Sequence, residues 1–207
     1  RGLSPPFSNE VQLMNYGELK EQIRDLGFAE DEELDEFGDV VPNGINRAIT
    51  EINLTVVPNI GTYIIEQDGT KDGVLYYDMD ELTVGDGGRF LEFADIPVMV
   101  GDGEYKRFND FEIENDKILV IDGSIKGRFK IFYKKAHTPF TVETSDNTEV
   151  ELPLKAHHLV PLLASYYIWL EDEKAKAVDY YNQYDKLVQE IKSNAAKPRA
   201  RILSGGM

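Results

Sequence analysis

The spacing of apolar residues changes twice along this chain, and each change marks a change of secondary structure. Between residues 15 and 58 apolar side chains recur every three or four positions, as on one face of an amphipathic helix. From Ile60 the spacing falls to two, which is typical of strands with one covered face. After Leu152 the helical spacing returns. The sequence therefore predicts an α+β protein in which an all-β domain is inserted between two helical segments.

Two helices are predicted in the first segment, residues 15–58. The first runs from Asn15 to Phe28, and Gly27 marks its end. The acidic residues 29–39 are predicted to be a solvated loop. Pro42 then opens a second helix, since its missing N–H costs little in a first turn. Helices this short need a partner for their apolar faces.

Residues 59–152 are predicted to form an antiparallel β-sandwich or a small barrel, with a strand order that the sequence leaves open. Short runs rich in β-branched and aromatic residues alternate with Asp-Gly pairs, which favour tight turns. The predicted strands contain residues 63–65, 75–77, 90–93, 118–121 and 129–133. The turn pairs are Asp68-Gly69, Asp72-Gly73, Asp86-Gly87, Asp102-Gly103 and Asp122-Gly123.

Residues 153–192 are predicted to complete a helical bundle with the N-terminal helices. Two apolar stripes at helical spacing, from Leu159 to Leu170 and from Ala177 to Ile191, are separated by a polar stretch that ends at Lys174. That stretch fits a tight turn and therefore a helical hairpin, which is the preferred interpretation. It also fits the exposed side of one continuous helix.

The two ends of the chain lack either period. Residues 1–14 are interpreted as a leader without regular structure, either native or artificial. Residues 193–207 are predicted to be a flexible basic tail, because no acidic residue follows Glu190 whereas four basic residues do.

The net charge of −16 is distributed unevenly. Residues 1–58 carry a net −8 and residues 59–153 a net −10, whereas residues 154–207 carry a net +2. Affinity for duplex DNA comes largely from cations on phosphate, so the acidic body is not predicted to hold DNA. The acidity fits either simple solubility or a surface past which DNA slides without sticking.

No motif in the sequence predicts catalysis, a cofactor or a metal. The chain has no cysteine, which excludes disulfides and thiolate chemistry, and no apolar run is long enough to span a membrane. Asp78-Met79-Asp80 resembles the start of a calcium loop but continues with Leu82 and Thr83. His157 and His158 are adjacent, so on a helix they diverge by about 100°. A carboxylate pair of a hydrolase would leave no local signature, but a non-enzymatic protein is predicted.

Tyrosine pairs in the C-terminal helices indicate a protein interface. Tyr166-Tyr167 and Tyr180-Tyr181 are each adjacent, with Tyr184 one turn on. Neighbours on a helix point in different directions, so one of each pair is expected to face outward. Tyrosine and tryptophan bring large, stiff contact areas to interfaces. Packing within the protein is the alternative.

Several segments at both ends of the chain resemble a known family. They are Tyr16–Leu19, Asn43–Ile49, Leu152–Leu159, Leu163–Tyr167, Asp172–Ala175, Tyr180–Tyr184 and Pro198–Arg201. In order and layout they are similar to tailed-phage head-to-tail connectors, also called adaptor, gatekeeper or neck proteins.

This resemblance implies a structural virion protein, assembled in the host cytoplasm and located in the neck. Such proteins form a homo-oligomeric ring, usually of twelve subunits, that binds beneath the portal protein and contacts tail or collar proteins. DNA passes through the lumen without specific binding during ejection, and no membrane is involved. The residues implied in portal binding are Lys197, Arg199, Arg201 and Ile202. Those implied between neighbouring subunits are Tyr167, Trp169 and Tyr181.

A second hypothesis is a β-sandwich module of a tail or collar component that binds a carbohydrate or another ligand. Such a site would gather exposed aromatic side chains on the β-domain, for which Tyr76, Tyr77 and Tyr105 are the candidates.

Overall fold

A computed structural model of the chain describes residues 13–27, 37–84, 88–101 and 104–195. Most of the helical residues in this part lie at its two ends, as the apolar spacing predicts. The helices are α1 (Tyr16–Gly27), α2 (Val40–Thr55), α3 (Met79–Thr83), α4 (Val160–Trp169) and α5 (Lys174–Ala195), with a 3-10 turn at Leu154–Leu159. The leader predicted at 1–14 and the acidic loop predicted at 29–39 fall mostly outside the described residues.

The middle of the chain forms two antiparallel sheets. Its strands are β1 (Ile60–Gln67), β2 (Val74–Asp78), β3 (Phe90–Phe93), β4 (Val98–Val100), β5 (Tyr105–Arg107), β6 (Phe111–Glu114), β7 (Ile118–Asp122) and β8 (Gly127–Lys135). One sheet has the order β1-β8-β4-β5, with β3 also paired to β8, and the other has the order β2-β7-β6. Helices and antiparallel sheets together confirm the α+β class.

Both sheets contribute to a single core. Ile65, Phe129 and Ile131 come from the five-stranded sheet, whereas Leu119 and Ile121 come from the three-stranded sheet. The five predicted strand segments all lie within observed strands. The strands β4, β5 and β6 were not predicted from the sequence. The prediction that residues 59–152 contain no helix was wrong, because α3 lies between β2 and β3.

The start of α1 shows how local sequence sets a helix boundary. The Asn15 side chain accepts a hydrogen bond from the Glu18 N–H at 2.8 Å, and the Glu18 carboxylate accepts one from the Asn15 N–H at 3.0 Å. This reciprocal capping satisfies N–H groups that have no partner within the helix. Tyr16, Leu19 and Ile23 then lie on the buried face of α1.

A second core joins the helices from both ends of the chain. It includes Ile45 and Ile49 of α2 and Leu163 of α4. Phe140 and Leu152 also pack in this core, although the sequence grouped them with the β-domain of residues 59–152. The sequence of residues 136–152 does not predict this packing, because its apolar residues are isolated among polar ones and show no period.

The C-terminal helices form a hairpin. α4 ends at Trp169 and α5 begins at Lys174, and the two helices pack against each other. Pro161 lies in the first turn of α4, where it is tolerated. α5 continues to Ala195, so it extends past Ser193, where the sequence predicted that the tail begins.

One buried amide holds the β-domain on α2. Asn53 is 1% exposed; its side-chain NH2 donates to the Lys135 carbonyl at 2.7 Å, and its side-chain oxygen accepts from the Asn59 N–H at 2.7 Å. Asn59 directly precedes β1 and Lys135 ends β8. The two connections between the β-domain and the helices are therefore fixed at the same side chain.

Candidate subunit interface

A row of aromatic side chains runs across α4 and α5. The ring centroids of Tyr167 and Tyr166 are 5.0 Å apart, those of Tyr166 and Tyr181 are 5.1 Å apart, and those of Tyr181 and Tyr184 are 5.8 Å apart. Spacings of this size are favourable for aromatic pairs. The row therefore joins the two helices of the hairpin along one side.

The two tyrosines at positions 180 and 181 face in different directions, as expected for neighbours on a helix. Tyr180 is 7% exposed and its hydroxyl donates to the Leu26 carbonyl at the end of α1. Tyr181 is 41% exposed, and the exposed Val178 lies one turn before it on α5. Tyr181 and Val178 thus present an apolar patch to solvent beside the buried part of the row.

Tyr167 connects the row to α2 through contacts with two side chains. Its hydroxyl donates to the Glu51 carboxylate, and the Arg47 Cζ lies 4.0 Å from its ring centroid. Burial, and next the bond to Glu51, raise the pKa of the Tyr167 hydroxyl above its ordinary value of 10.0. Tyr167 is partly buried, and Tyr166 lies between it and Tyr181 in the row.

Trp169 is the last residue of α4 and lies beside the last turn of α1. The Lys176 ammonium is 3.4 Å from its ring centroid and also donates to the Gly27 carbonyl at 2.6 Å. A Cβ at Gly27 would be 2.9 Å from the Trp169 Nε1. Of the three residues predicted between neighbours, the structure therefore brings Tyr167 and Tyr181 into one row and places Trp169 at the junction with α1.

Val178 was missed as a candidate interface residue. The sequence placed it in the apolar stripe of the last helix, next to Ala177, which is fully buried. An apolar pair at adjacent positions makes a stripe wider than one partner covers, and that width was the available signal. The residues predicted to bind the portal, Lys197, Arg199, Arg201 and Ile202, lie outside the described residues.

The aromatic residues proposed for a carbohydrate site do not come together. Tyr76 and Tyr77 belong to the three-stranded sheet, whereas Tyr105 is on the edge strand β5 of the other sheet. The Tyr77 hydroxyl is bonded to the Gln67 side chain at 2.9 Å. This arrangement disfavours the ligand-binding hypothesis for these three residues.

The calcium-like Asp78-Met79-Asp80 sequence has a structural role. The Asp78 carboxylate accepts from the Asp80 N–H at 2.9 Å and caps α3, and the Lys117 ammonium lies 3.1 Å from Asp78 and 3.2 Å from Asp80. The hydrogen bond from Lys117 holds the pKa of the Asp78 carboxyl below its usual value. In the described part of the chain, no group of three or more His, Asp or Glu side chains is arranged to hold a metal ion.

The histidines are engaged within the fold. His157 is buried; its Nδ1 accepts from the Met14 N–H at 3.2 Å, and its Nε2 lies 2.8 Å from the Leu152 carbonyl. His158, next to it, is exposed. The His137 ring nitrogens lie near the carbonyls of Thr138 and Asn46, and burial lowers the pKa of His137.

A cleft of about 1060 Å³ lies between α2 and the β-domain. Three carboxylates line it, and each has its own partner: Glu51 accepts from Tyr167, Asp80 pairs with Lys117, and Glu151 accepts from the Thr138 N–H at 2.7 Å. The three carboxylates of the cleft are therefore engaged in contacts within the fold.

The inserted β-domain, the joined helical core and the aromatic row on a helical flank indicate a structural assembly protein. Residues 14–204 match the family described as SU10 adaptor protein, so the chain belongs to that family. No curated protein matches the chain. Family membership indicates a phage adaptor, which is a structural, non-enzymatic component of the virion. None of the helices in the described ranges combines the length and the apolar character that crossing a bilayer requires.

Proposed function

We propose that the protein is a head-to-tail adaptor that forms a ring of twelve copies beneath the portal, in the virion neck. The ring links the capsid to the tail and lines the channel through which DNA leaves. The match to an adaptor family over residues 14–204 is the observation that carries this proposal.

The charge distribution supports a channel role. By sequence, residues 1–58 have a net charge of −8 and residues 59–153 one of −10. A surface of this sign repels the DNA phosphates, so DNA moves past it without being held.

The aromatic row supports a lateral contact on the helices. Tyr181 and Val178 are exposed, and Tyr167 lies behind them in the same row. Burying them against a neighbouring subunit removes apolar area from water, at roughly 25 cal/mol per Å². Trp169, beside the end of α1, is proposed to lie between neighbouring subunits as well.

The basic tail supplies the contact with the portal. Lys197, Arg199 and Arg201 provide the only charges after Lys192, and Ile202 adds an apolar anchor. Charge steers the tail to an acidic portal surface, and the tail orders on contact.

Electron microscopy of the purified protein mixed with its portal tests the ring. We expect rings docked on the portal, and Tyr181→Ala should reduce their number. Val142→Ala removes a more exposed apolar side chain, on a loop away from the aromatic row, and should not. If the wild-type chain never associates with the portal but binds a glycan array, the adaptor proposal is wrong.

Truncation after Ala195 tests the tail without shortening α5. The truncated chain should lose portal binding and keep its melting temperature, because no packed residue of the described fold is removed. Replacing Lys197, Arg199 and Arg201 by serine should give the same loss at full length. Normal docking of either variant would remove the tail from the mechanism.

A further inference from the structure

The outer side of the five-stranded sheet combines aromatic, aliphatic and basic side chains, and it meets the end of α2 at Lys134, whose ammonium donates to the Leu54 carbonyl at 2.7 Å. Alternation along β8 places Lys130 and Phe132 opposite to the core residues Phe129 and Ile131. The register continues this face into the neighbouring strands, since Ile64 and Val98 both pair with Lys130. We name this surface the basic face, and it comprises Ile60, Ile64, Tyr105, Arg107, Lys130 and Phe132.

Two cations on the basic face have no ion-pair partner among the residues that the structure describes. Arg128 and Lys134 share this side of β8, but Glu66 pairs with the first at 2.8 Å and Glu92 with the second at 2.6 Å. The Lys130 ammonium instead lies 5.5 Å from the Tyr105 ring centroid and 5.4 Å from that of Phe132. In the described residues neither Lys130 nor Arg107 forms an ion pair.

The outer side of the three-stranded sheet has the same character with the opposite charge. Tyr76 and Glu112 both pair with Val120, which is 6% exposed and lies on the side of β7 opposite to the core residues Leu119 and Ile121. Glu112 and Glu114 are exposed and form no ion pair in the described part of the chain. We name this surface the acidic face, and it comprises Val74, Tyr76, Glu112, Glu114, Val120 and Asp122.

Both faces expose a large aromatic side chain. Tyr105 on the basic face is 64% exposed and Tyr76 on the acidic face is 60% exposed. The inner sides of both sheets contribute to one core, so the two outer faces point away from that core and cannot meet within one copy. Contiguous exposed apolar groups with charges of one sign around them mark interaction sites.

We propose that the basic face of one copy packs against the acidic face of the next copy, sheet on sheet. Opposite charges on the two faces favour this pairing, and like charges oppose a symmetric pairing of either face with itself. A contact between two different faces repeats from copy to copy and closes into a ring when the rotation closes. This proposal rests on the ring proposed above. It adds a second contact between neighbouring subunits, in the β-domain, to the contact proposed for the helices.

Exchange of charge between the faces tests this contact. In the Arg107→Glu, Lys130→Glu variant both faces are acidic, and in the Glu112→Lys, Glu114→Lys variant both are basic. Each variant alone should form rings on the portal more than about tenfold less well than wild type, because like charges then meet. A mixture of the two should recover, since each copy then finds the opposite charge on both sides.

The recovery also shows that both variants are folded. The Lys71→Glu, Lys126→Glu variant changes the net charge as much as the first variant, at exposed turn positions outside both faces, and should assemble as wild type does. If each charge variant assembles normally, or if the mixture fails to recover, the contact is wrong. Wild-type rings in that experiment would leave the adaptor proposal standing, whereas absence of wild-type rings would overturn both.

Cross-linking gives an independent readout in a chain that has no cysteine. A chain carrying Tyr76→Cys and Tyr105→Cys should form disulfide-linked multimers on the portal under mild oxidation. A chain carrying Tyr76→Cys and Val142→Cys should not, because Val142 lies outside both faces. Equal cross-linking of the two pairs would contradict the contact.

Discussion

The side-chain amide of Asn46 makes two 2.8 Å hydrogen bonds to the backbone of Phe140, donating to its carbonyl and accepting from its N–H. Phe140 in turn stacks on Tyr16, with ring centroids 4.5 Å apart. One polar side chain of α2 thereby fixes the segment that returns from the β-domain to the helical core.

Asn46→Ala should lower the free energy of unfolding by about 1–3 kcal/mol, because both backbone groups of Phe140 then lose their partner. Urea unfolding followed by the fluorescence of Trp169, the single tryptophan, measures the change. Asn43→Ala, at an exposed position of the same helix, is the control and should change stability by less than about 0.5 kcal/mol. Equal effects of the two substitutions would deny Asn46 this role.

Gly44 allows α2 and α4 to approach closely. A Cβ at this position would lie 2.8 Å from the Ile168 Cγ1 and 3.3 Å from the Ala164 carbonyl oxygen. Alanine is favoured over glycine in a helix by about 1 kcal/mol. Gly44→Ala therefore lowers the free energy of unfolding only if the steric overlap costs more than this gain. We expect net destabilisation of about 1–2 kcal/mol in urea unfolding, since one of the contacted atoms belongs to backbone.

A double-mutant cycle with Ile168→Ala separates overlap from propensity. Removing the Ile168 Cγ1 should shrink or reverse the cost of Gly44→Ala. Strictly additive effects would show that the space between α2 and α4 does not limit residue 44.

The adjacent histidines give a matched pair for a third prediction. His157→Ala should destabilise the fold by roughly 2–3 kcal/mol, because the Met14 N–H and the Leu152 carbonyl both lose a buried partner. His158→Ala, at an exposed position, should have little effect in the same thermal or urea unfolding experiment. Similar losses for both substitutions would mean that burial of His157 is not what matters.

Tyrosine burial predicts a loss of stability in alkali. Burial, and next the charge of Glu51, raise the pKa of Tyr184 to about 12, from an ordinary value of 10.0. Above the ordinary value the unfolded chain releases this proton while the folded chain keeps it, so stability falls as the pH rises. Tyr167 and Tyr180 act in the same direction, since their pKa values are also raised.

Tyr184→Phe should reduce this fall by about 1 kcal/mol at pH 11 relative to pH 9. Unfolding free energies from urea titrations at both pH values test it, and Tyr76→Phe on the surface provides the control. If Tyr184→Phe leaves the pH dependence of the unfolding free energy unchanged, ionisation of the Tyr184 hydroxyl does not contribute to the loss of stability in alkali.

The elements that the sequence predicted well are those whose signal is local and repeated. α1 begins directly after Asn15, where the capping pair Asn15 and Glu18 lies, and Gly27 is the last described residue of this range. The strands missed were short and poorly patterned. All three residues of β5 are exposed, so they have no covered face to produce an alternation, and α3 at Met79–Thr83 is too short to display a helical period.

The candidate interface was predicted in part. Helix geometry predicts that one tyrosine of each adjacent pair faces outward, and Tyr180 and Tyr181 behave in this way, whereas Tyr166 and Tyr167 are both partly buried. That Tyr181 rather than Tyr180 faces outward depends on α1, whose Leu26 carbonyl receives the Tyr180 hydroxyl. The tail residues stay a prediction, as does the presence of Tyr167, Trp169 and Tyr181 between neighbouring subunits.

The sequence by itself determined the order of helices and strands, the inserted position of the β-domain and the uneven charge, because these depend on residues near one another in the chain. Tertiary structure alone decided that Asn53 fastens both ends of the β-domain, that Phe140 belongs to the helical core, and that Lys130 and Glu112 lie on different outer faces. Each of these depends on strand register or on contacts between residues far apart in sequence, which no local period records.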